Sequence, residues 1–217
     1  MRCAMAKVET GHYRLFWEKM SGAMVVELLL DEMQVPYQRV AVDMAAGAHR
    51  SPDYLALNPT GQVPALAFPS GEIIGETAAI IIALGEHHPQ PSLVPAPDHP
   101  DRARFLRWLI YMAASPYMTF IQFNHPERFL DDPRSHPALV DNARRRLLDQ
   151  FTLMDQAIMG APFLLASGVS ALDLYAYMLI EFFGDDPVSL AVRPRLAGLY
   201  ASVAKRASVA RVRPRHG

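Results

Sequence analysis

The residues whose types and spacing suggest chemistry lie in two short tracts. The first is Asn58-Pro59-Thr60-Gly61-Gln62-Val63-Pro64-Ala65-Leu66, a turn by composition that runs directly into a strand. Pro64 has no N–H to give to that strand, and Val63-Pro64 is a candidate for the cis isomer, which is accessible in practice only before proline. A cis bond would turn the chain sharply and leave the N–H and C=O of Val63 facing outward. An extended peptide could then pair with them as another strand would. An ordinary turn with a trans proline is the other reading. The second tract, Gly75-Glu76-Thr77-Ala78-Ala79-Ile80, begins eleven residues after Pro64. Thr77 stands at a helix start, where its hydroxyl and the free backbone N–H groups are available to a carboxylate. Glu76 adds a negative group suited to an ammonium, so the two together match the head group of an amino acid. A plain N-terminal cap with an acidic first turn would leave the same trace.

Other patterns exclude more than they propose. Ser170-Ala171-Leu172-Asp173 pairs a serine cap with a carboxylate three residues on, which satisfies two orphan amides reciprocally; it concerns folding, not chemistry. The eight histidines show no metal-ligand spacing, and no Ser-His-Asp arrangement or phosphate-cradling glycine loop appears. Cys3 is the one cysteine, which rules out an intramolecular disulfide and a cysteine metal cluster, so no metal is expected. The formal net charge of −1 gives no overall field toward nucleic acid or an anionic membrane. Arg144, Arg145 and Arg146 read as a solvated helix face, and the basic run from Lys205 to Arg215 as a frayed tail. The start, Met1 to Gly11, lacks the apolar core of a signal peptide, and the longest apolar stretch, Thr77 to Gly85, falls well short of a membrane span. A reducing, cytoplasmic location is expected.

The elements that must position these tracts follow from periodicity. Tyr13 to Trp17 reads as a strand, Ala23 to Met33 as a helix and Tyr37 to Val42 as a second strand. A short helix over Ser51 to Leu57 has Ser51 as cap and Pro52 in its first turn. Strands Pro64 to Phe68 and Glu72 to Ile74 form a hairpin, and a helix follows from Glu76 to about His87. The order β-α-β-α-β-β-α defines an α/β domain over residues 12–88, after an extension over residues 1–11. The proline-rich stretch 89–100 reads as a linker, and residues 101–217 as an all-helical domain. Within that domain Asp101 to about Phe123 is a helix kinked at Pro116. His136 to Met159 is amphipathic, with Leu139, Ala143, Leu147, Phe151, Met154 and Ile158 on one stripe. Ser170 to Phe183, apolar nearly all round, should be central, and Pro194 to about Arg206 closes the chain.

In order and spacing, the tract Asn58 to Leu66, the pair Glu76-Thr77 and the capped helix at Ser170 resemble the soluble glutathione transferase family. Pro194-Arg195-Leu196 and Lys205-Arg206-Ala207-Ser208-Val209 are also similar to the family's last helix, and the likeness runs from about residue 12 to 210. The resemblance implies α/β plus all-α architecture: a thioredoxin-like N-terminal domain followed by a glutathione-transferase-type helical domain, in a homodimer. It implies that Val63, between Gln62 and Pro64, pairs with the cysteinyl backbone of glutathione. Glu76 and Thr77 would take the γ-glutamyl end. The activity implied is attack of the glutathione thiolate, as co-substrate, on a small hydrophobic electrophile. The alternative is a binding or regulatory module that keeps the fold without turnover.

The family lowers the thiol pKa with a Tyr, Ser or Cys near the first strand and helix, since a donor and a helix N-terminus both favour the thiolate. Here the stretch is Leu15-Phe16-Trp17-Glu18-Lys19-Met20-Ser21-Gly22-Ala23. Matching to the first helix puts Phe16 at the tyrosine position and Gly22 at the cysteine position. Ser21 is the hydroxyl that remains. It is either a donor to the sulfur or a simple helix cap, and Glu18, unhelpful beside a thiolate, should face solvent. The second substrate is expected between the domains, against Trp17, Met20, Tyr111, Tyr117 and Phe120.

Overall fold

A computed structural model of the chain describes residues 11–91, 93–184 and 190–217. The expected extension, Cys3 included, lies outside the described residues except for Gly11. The first elements are β1 (Tyr13–Trp17), α1 (Ala23–Glu32), β2 (Tyr37–Ala41), α2 (Pro52–Leu57), β3 (Ala65–Ala67), β4 (Ile73–Ile74) and α3 (Thr77–His87), in the order the sequence implies. They build one sheet ordered β2-β1-β3-β4. β1 and β2 run parallel, and β3 is antiparallel to both β1 and β4.

Strand alternation sends Phe16 to one face, where it packs with Val42, Tyr54, Val63, Ala65 and Ala67. Leu15 and Leu66, both fully buried, face the other side, which α1 and α3 cover. Ser51 caps α2 as expected, its hydroxyl accepting from the Tyr54 N–H at 3.2 Å with Pro52 in the first turn. A short 3₁₀ turn, Ala48–Arg50, was not legible in the sequence.

The helical part comprises α4 (Arg102–Ala114), α5 (Pro116–Asn124), α6 (His136–Ala157), α7 (Ala171–Phe183) and α8 (Pro194–Ala204). The kinked helix expected over residues 101–123 is two helices. Pro116 lacks the N–H that would continue α4, and instead begins α5, where none is needed. The stripe of α6 is buried at Ala143, Leu147, Phe151 and Met154. α7 is buried on nearly every side and carries the complete capping box of Ser170 and Asp173.

The end of the chain departs from expectation. The contacts form two compact units, one reaching to Val94 and including Ala207–Gly217, the other Pro95–Arg206. The last eleven residues, read as part of the helical domain and as a frayed basic tail, instead form α9 (Ala207–Val212) and a 3₁₀ turn, Arg213–Arg215, packed with α1 in the first unit. The reason is charge complementarity. Glu27 on α1 is fully buried, and it accepts hydrogen bonds from the Tyr37 hydroxyl at 2.9 Å and Arg215 Nη1 at 2.7 Å. His216 Nε2 lies 2.7 Å from its other oxygen, Oε2, and Arg39 Nε 3.5 Å from Oε1. Arg211 pairs with Asp31, and the Ser208 hydroxyl with Glu32. A carboxylate buried this deeply is tolerable only with such partners. The basic run answers an acidic stripe of α1.

Candidate functional site

Register brings the two tracts and the turn after β1 to one end of the sheet. Phe16 pairs with Ala65, so the chain leaves β1 after Trp17 beside Val63 and Pro64. Leu66 pairs with Ile74, so the chain leaves β4 into Gly75-Glu76-Thr77 at that same end. The Val63–Pro64 bond is cis, as expected. Val63 turns its side chain into the core, and among the described residues its N–H and C=O take no backbone hydrogen bond. They are a donor and an acceptor left over at the start of a strand.

The strip is held from behind. The carbonyl of Gln62 accepts from the Tyr54 hydroxyl at 2.6 Å and from Asn58 Nδ2 at 2.8 Å. The Gln62 side chain itself is exposed. Tyr54 and Asn58 were missed as site residues; the first reads as helix core and the second as turn former.

Glu76 is exposed, and Thr77 behind it is buried at the first position of α3. Glu76 sits at φ 64° and ψ 106°, a conformation unfavourable for any residue with a side chain. No side chain caps α3, so its first amides have no side-chain acceptor from this cap position. The arrangement offers a carboxylate, a hydroxyl and helix-start amides together, the set expected for an ammonium and a carboxylate.

The third component is the turn between β1 and α1. Ser21, 8% exposed, donates its hydroxyl proton to the Glu18 carbonyl at 2.7 Å and accepts from the Ala23 N–H at 3.3 Å. It thus has features of a cap, although the cap position proper is Gly22. Glu18 does not simply face solvent. Its carboxylate accepts from the N–H groups of Lys19 at 2.7 Å and Met44 at 3.2 Å, tying this turn to the chain after β2.

The glutathione S-transferase N-terminal domain family matches residues 21–87. An uncharacterised glutathione-transferase-like protein of Escherichia coli K12, YncG, is 31% identical over 71% of this chain and 74% of its own length. This chain belongs to the glutathione S-transferase family. A maleylacetoacetate isomerase of Pseudomonas aeruginosa is 43% identical over a shorter stretch, 36% of this chain and 38% of the isomerase. A solved glutathione transferase homologue from Sulfitobacter with bound glutathione superposes with a TM-score of 0.85 at 25% identity, over 94% of this chain and 98% of that one. The thioredoxin-like first domain and helical second domain of the transferases are therefore those of this chain.

The residues expected to wall a hydrophobic pocket divide. Met20 is 48% exposed at the tip of the Ser21 turn, and Tyr111 and Tyr117 stay half-buried on α4 and α5. Two others are engaged elsewhere. Trp17 alternates away from Phe16 and Val63; Arg39 lies 4.9 Å over its ring, and the His216 ring meets it edge-on at 5.2 Å. Phe120, 5% exposed, belongs to the core of the helical unit, its ring 5.5 Å from that of Phe182.

Proposed function

We propose that this transferase binds glutathione and catalyses attack of its thiolate on a small hydrophobic electrophile. What carries the reading is the convergence at one end of the sheet of an unpaired backbone strip, a helix start with a carboxylate, and a hydroxyl-bearing turn. Glutathione would lie antiparallel to Val63, its cysteinyl N–H and C=O meeting the Val63 backbone. Glu76 would take the γ-glutamyl ammonium, and Thr77 with the α3 amides its carboxylate. A homodimer in the cytoplasm, with no metal, is part of the same proposal.

In the reaction the sulfur lone pair forms the new C–S bond, and the electron pair of the electrophile moves onto its leaving group or conjugated system. The thiol proton goes to solvent. Conjugation, ether cleavage, dehalogenation and isomerisation all begin this way, and the exposed, apolar Met20 beside the Ser21 turn suits such an acceptor. Ser21 would stabilise the thiolate by turning its O–H from the Glu18 carbonyl to the sulfur. That exchange gives up a neutral hydrogen bond worth about 1 kcal/mol for a charge-assisted one roughly twice as strong, and is favourable where water takes up the freed Glu18 carbonyl.

Ser21→Ala is expected to lower kcat about 10-fold or more with little change in the KM for glutathione, the pattern of an interaction made with the reacting sulfur. The pH–rate limb reporting thiol ionisation should move upward. An unchanged kcat and limb would remove Ser21 from the chemistry and leave the helix-start amides as the activating groups. The present commitment of the Ser21 proton to Glu18 favours a second reading, a glutathione-binding module without turnover. Saturable glutathione binding with no product across a broad panel of electrophiles would decide for it.

A further inference from the structure

We propose that Asn58 and Tyr54 are positioning residues for glutathione, and that Asn58 fixes the spacing between the Val63 strip and the Glu76 helix start. The inference rests on the glutathione site proposed above and adds the device that couples its two halves. Asn58 is 5% exposed and follows α2 directly. Its Nδ2 donates to the Gln62 carbonyl at 2.8 Å, while its Oδ1 accepts from the Thr60 hydroxyl at 2.9 Å and, at 3.4 Å, from the Thr60 N–H. The carbonyl on one side and the N–H on the other fix which way the amide points. The same amide also lies against the other tract, since a Cβ on Gly75 would fall 3.4 Å from Nδ2 and 3.5 Å from Oδ1. One buried amide therefore bonds the residue before Val63 and lies beside the residue before Glu76, about a methyl group away.

Tyr54 is the second holder of the same carbonyl. It is fully buried, with its ring edge-on to Phe16 at 5.9 Å and its hydroxyl donating to Gln62 at 2.6 Å. Burial pushes its phenol up to about 12, so the bond is a donor's at any working pH. With both donors in place the Gln62 carbonyl cannot rotate. Neither residue touches Ser21 in these contacts, so their effect should fall on binding and not on the reacting sulfur.

The test is calorimetric titration of reduced glutathione into wild type, Tyr54→Phe, Asn58→Ala, Glu76→Ala and the Asn58→Ala/Glu76→Ala double variant, at temperatures where each is folded. Tyr54→Phe, which keeps the packed ring and loses one hydrogen bond, should raise Kd about 5-fold. Asn58→Ala should raise it about 10-fold or more, because both halves of the site lose their spacer. The double variant should lose distinctly less than the product of the single losses, since Glu76 is already displaced once Asn58 is gone. An unchanged Kd in Tyr54→Phe and Asn58→Ala, or strictly multiplicative losses, would overturn the proposal while leaving the glutathione site standing. Should Asn58→Ala fail to fold, Tyr54→Phe alone decides. Absence of saturable binding by wild type would remove the site and the inference together.

Discussion

Glu27→Ala should destabilise the protein by about 3–5 kcal/mol, the range for removing one partner of a buried charged pair. Against a typical total of about 5–15 kcal/mol this is a large fraction. The substitution strands His216, whose side chain is 1% exposed, and releases Arg215 and the Tyr37 hydroxyl, so the last turn of the chain should come away from α1. Thermal melts and protease sensitivity near the C-terminus would register both effects. His216→Ala should cost less, because Arg215 and Tyr37 still satisfy Glu27.

A pH signature accompanies this. Burial alone would raise the Glu27 pKa, but hydrogen bonds from His216, Tyr37 and Arg215 more than offset it and hold the carboxyl below the ordinary glutamate range. Around that range the folded state binds fewer protons than the unfolded one. The contribution of Glu27 is thus complete above the unfolded value of about 4.3 and is lost as the pH falls through the lowered folded value. In Glu27→Gln the acid limb of the stability profile should be flatter; an identical limb would mean that the clasp titrates with no net linkage.

Asp173→Ala carries the second large effect. Its carboxylate accepts from the Leu164 N–H at 2.9 Å, the Ser170 N–H at 2.7 Å and the Ser170 hydroxyl at 3.1 Å, all buried. Removing it orphans two backbone donors at about 1–3 kcal/mol each, so a loss of roughly 2–6 kcal/mol is expected, read as a fall in urea midpoint at unchanged slope. Burial dominates the ionisation of this group and pushes it up to about 6 against those hydrogen bonds. Its sign is opposite to that of Glu27. Between about pH 4 and pH 6 the folded state holds the extra proton, so the contribution of Asp173 declines as the pH rises through that window.

What the sequence made legible was local. Val63-Pro64, Thr77 at its helix start and the Ser170–Asp173 box each lie within a few neighbouring residues, and their local geometry follows from spacing. Trp17 and Phe120 were expected as pocket walls because each is an aromatic residue in the right segment, a pattern that does not say which face it takes. For Trp17 the strand pleat and the returning C-terminus decide, and for Phe120 the packing of α5 in the helical core. The pair of Glu27 and His216 is separated by 189 positions, so no local pattern could join them. Asn58 and Tyr54 were in plain view, but turn chemistry and core burial account for their types so well that a further role leaves no trace until the Gln62 carbonyl is located.

The strained backbone of Glu76 offers the most direct test of the glutathione site. Glycine adopts φ 64° without steric cost, so Glu76→Gly removes the carboxylate while relieving the backbone. Titration of reduced glutathione into wild type and Glu76→Gly, alongside their melting curves, should give saturable binding by wild type. The variant should be at least as stable and bind at least 10-fold more weakly, the loss of one charged hydrogen-bonding partner of the ligand. Equal affinity in the two proteins, or no binding by wild type, would contradict the account.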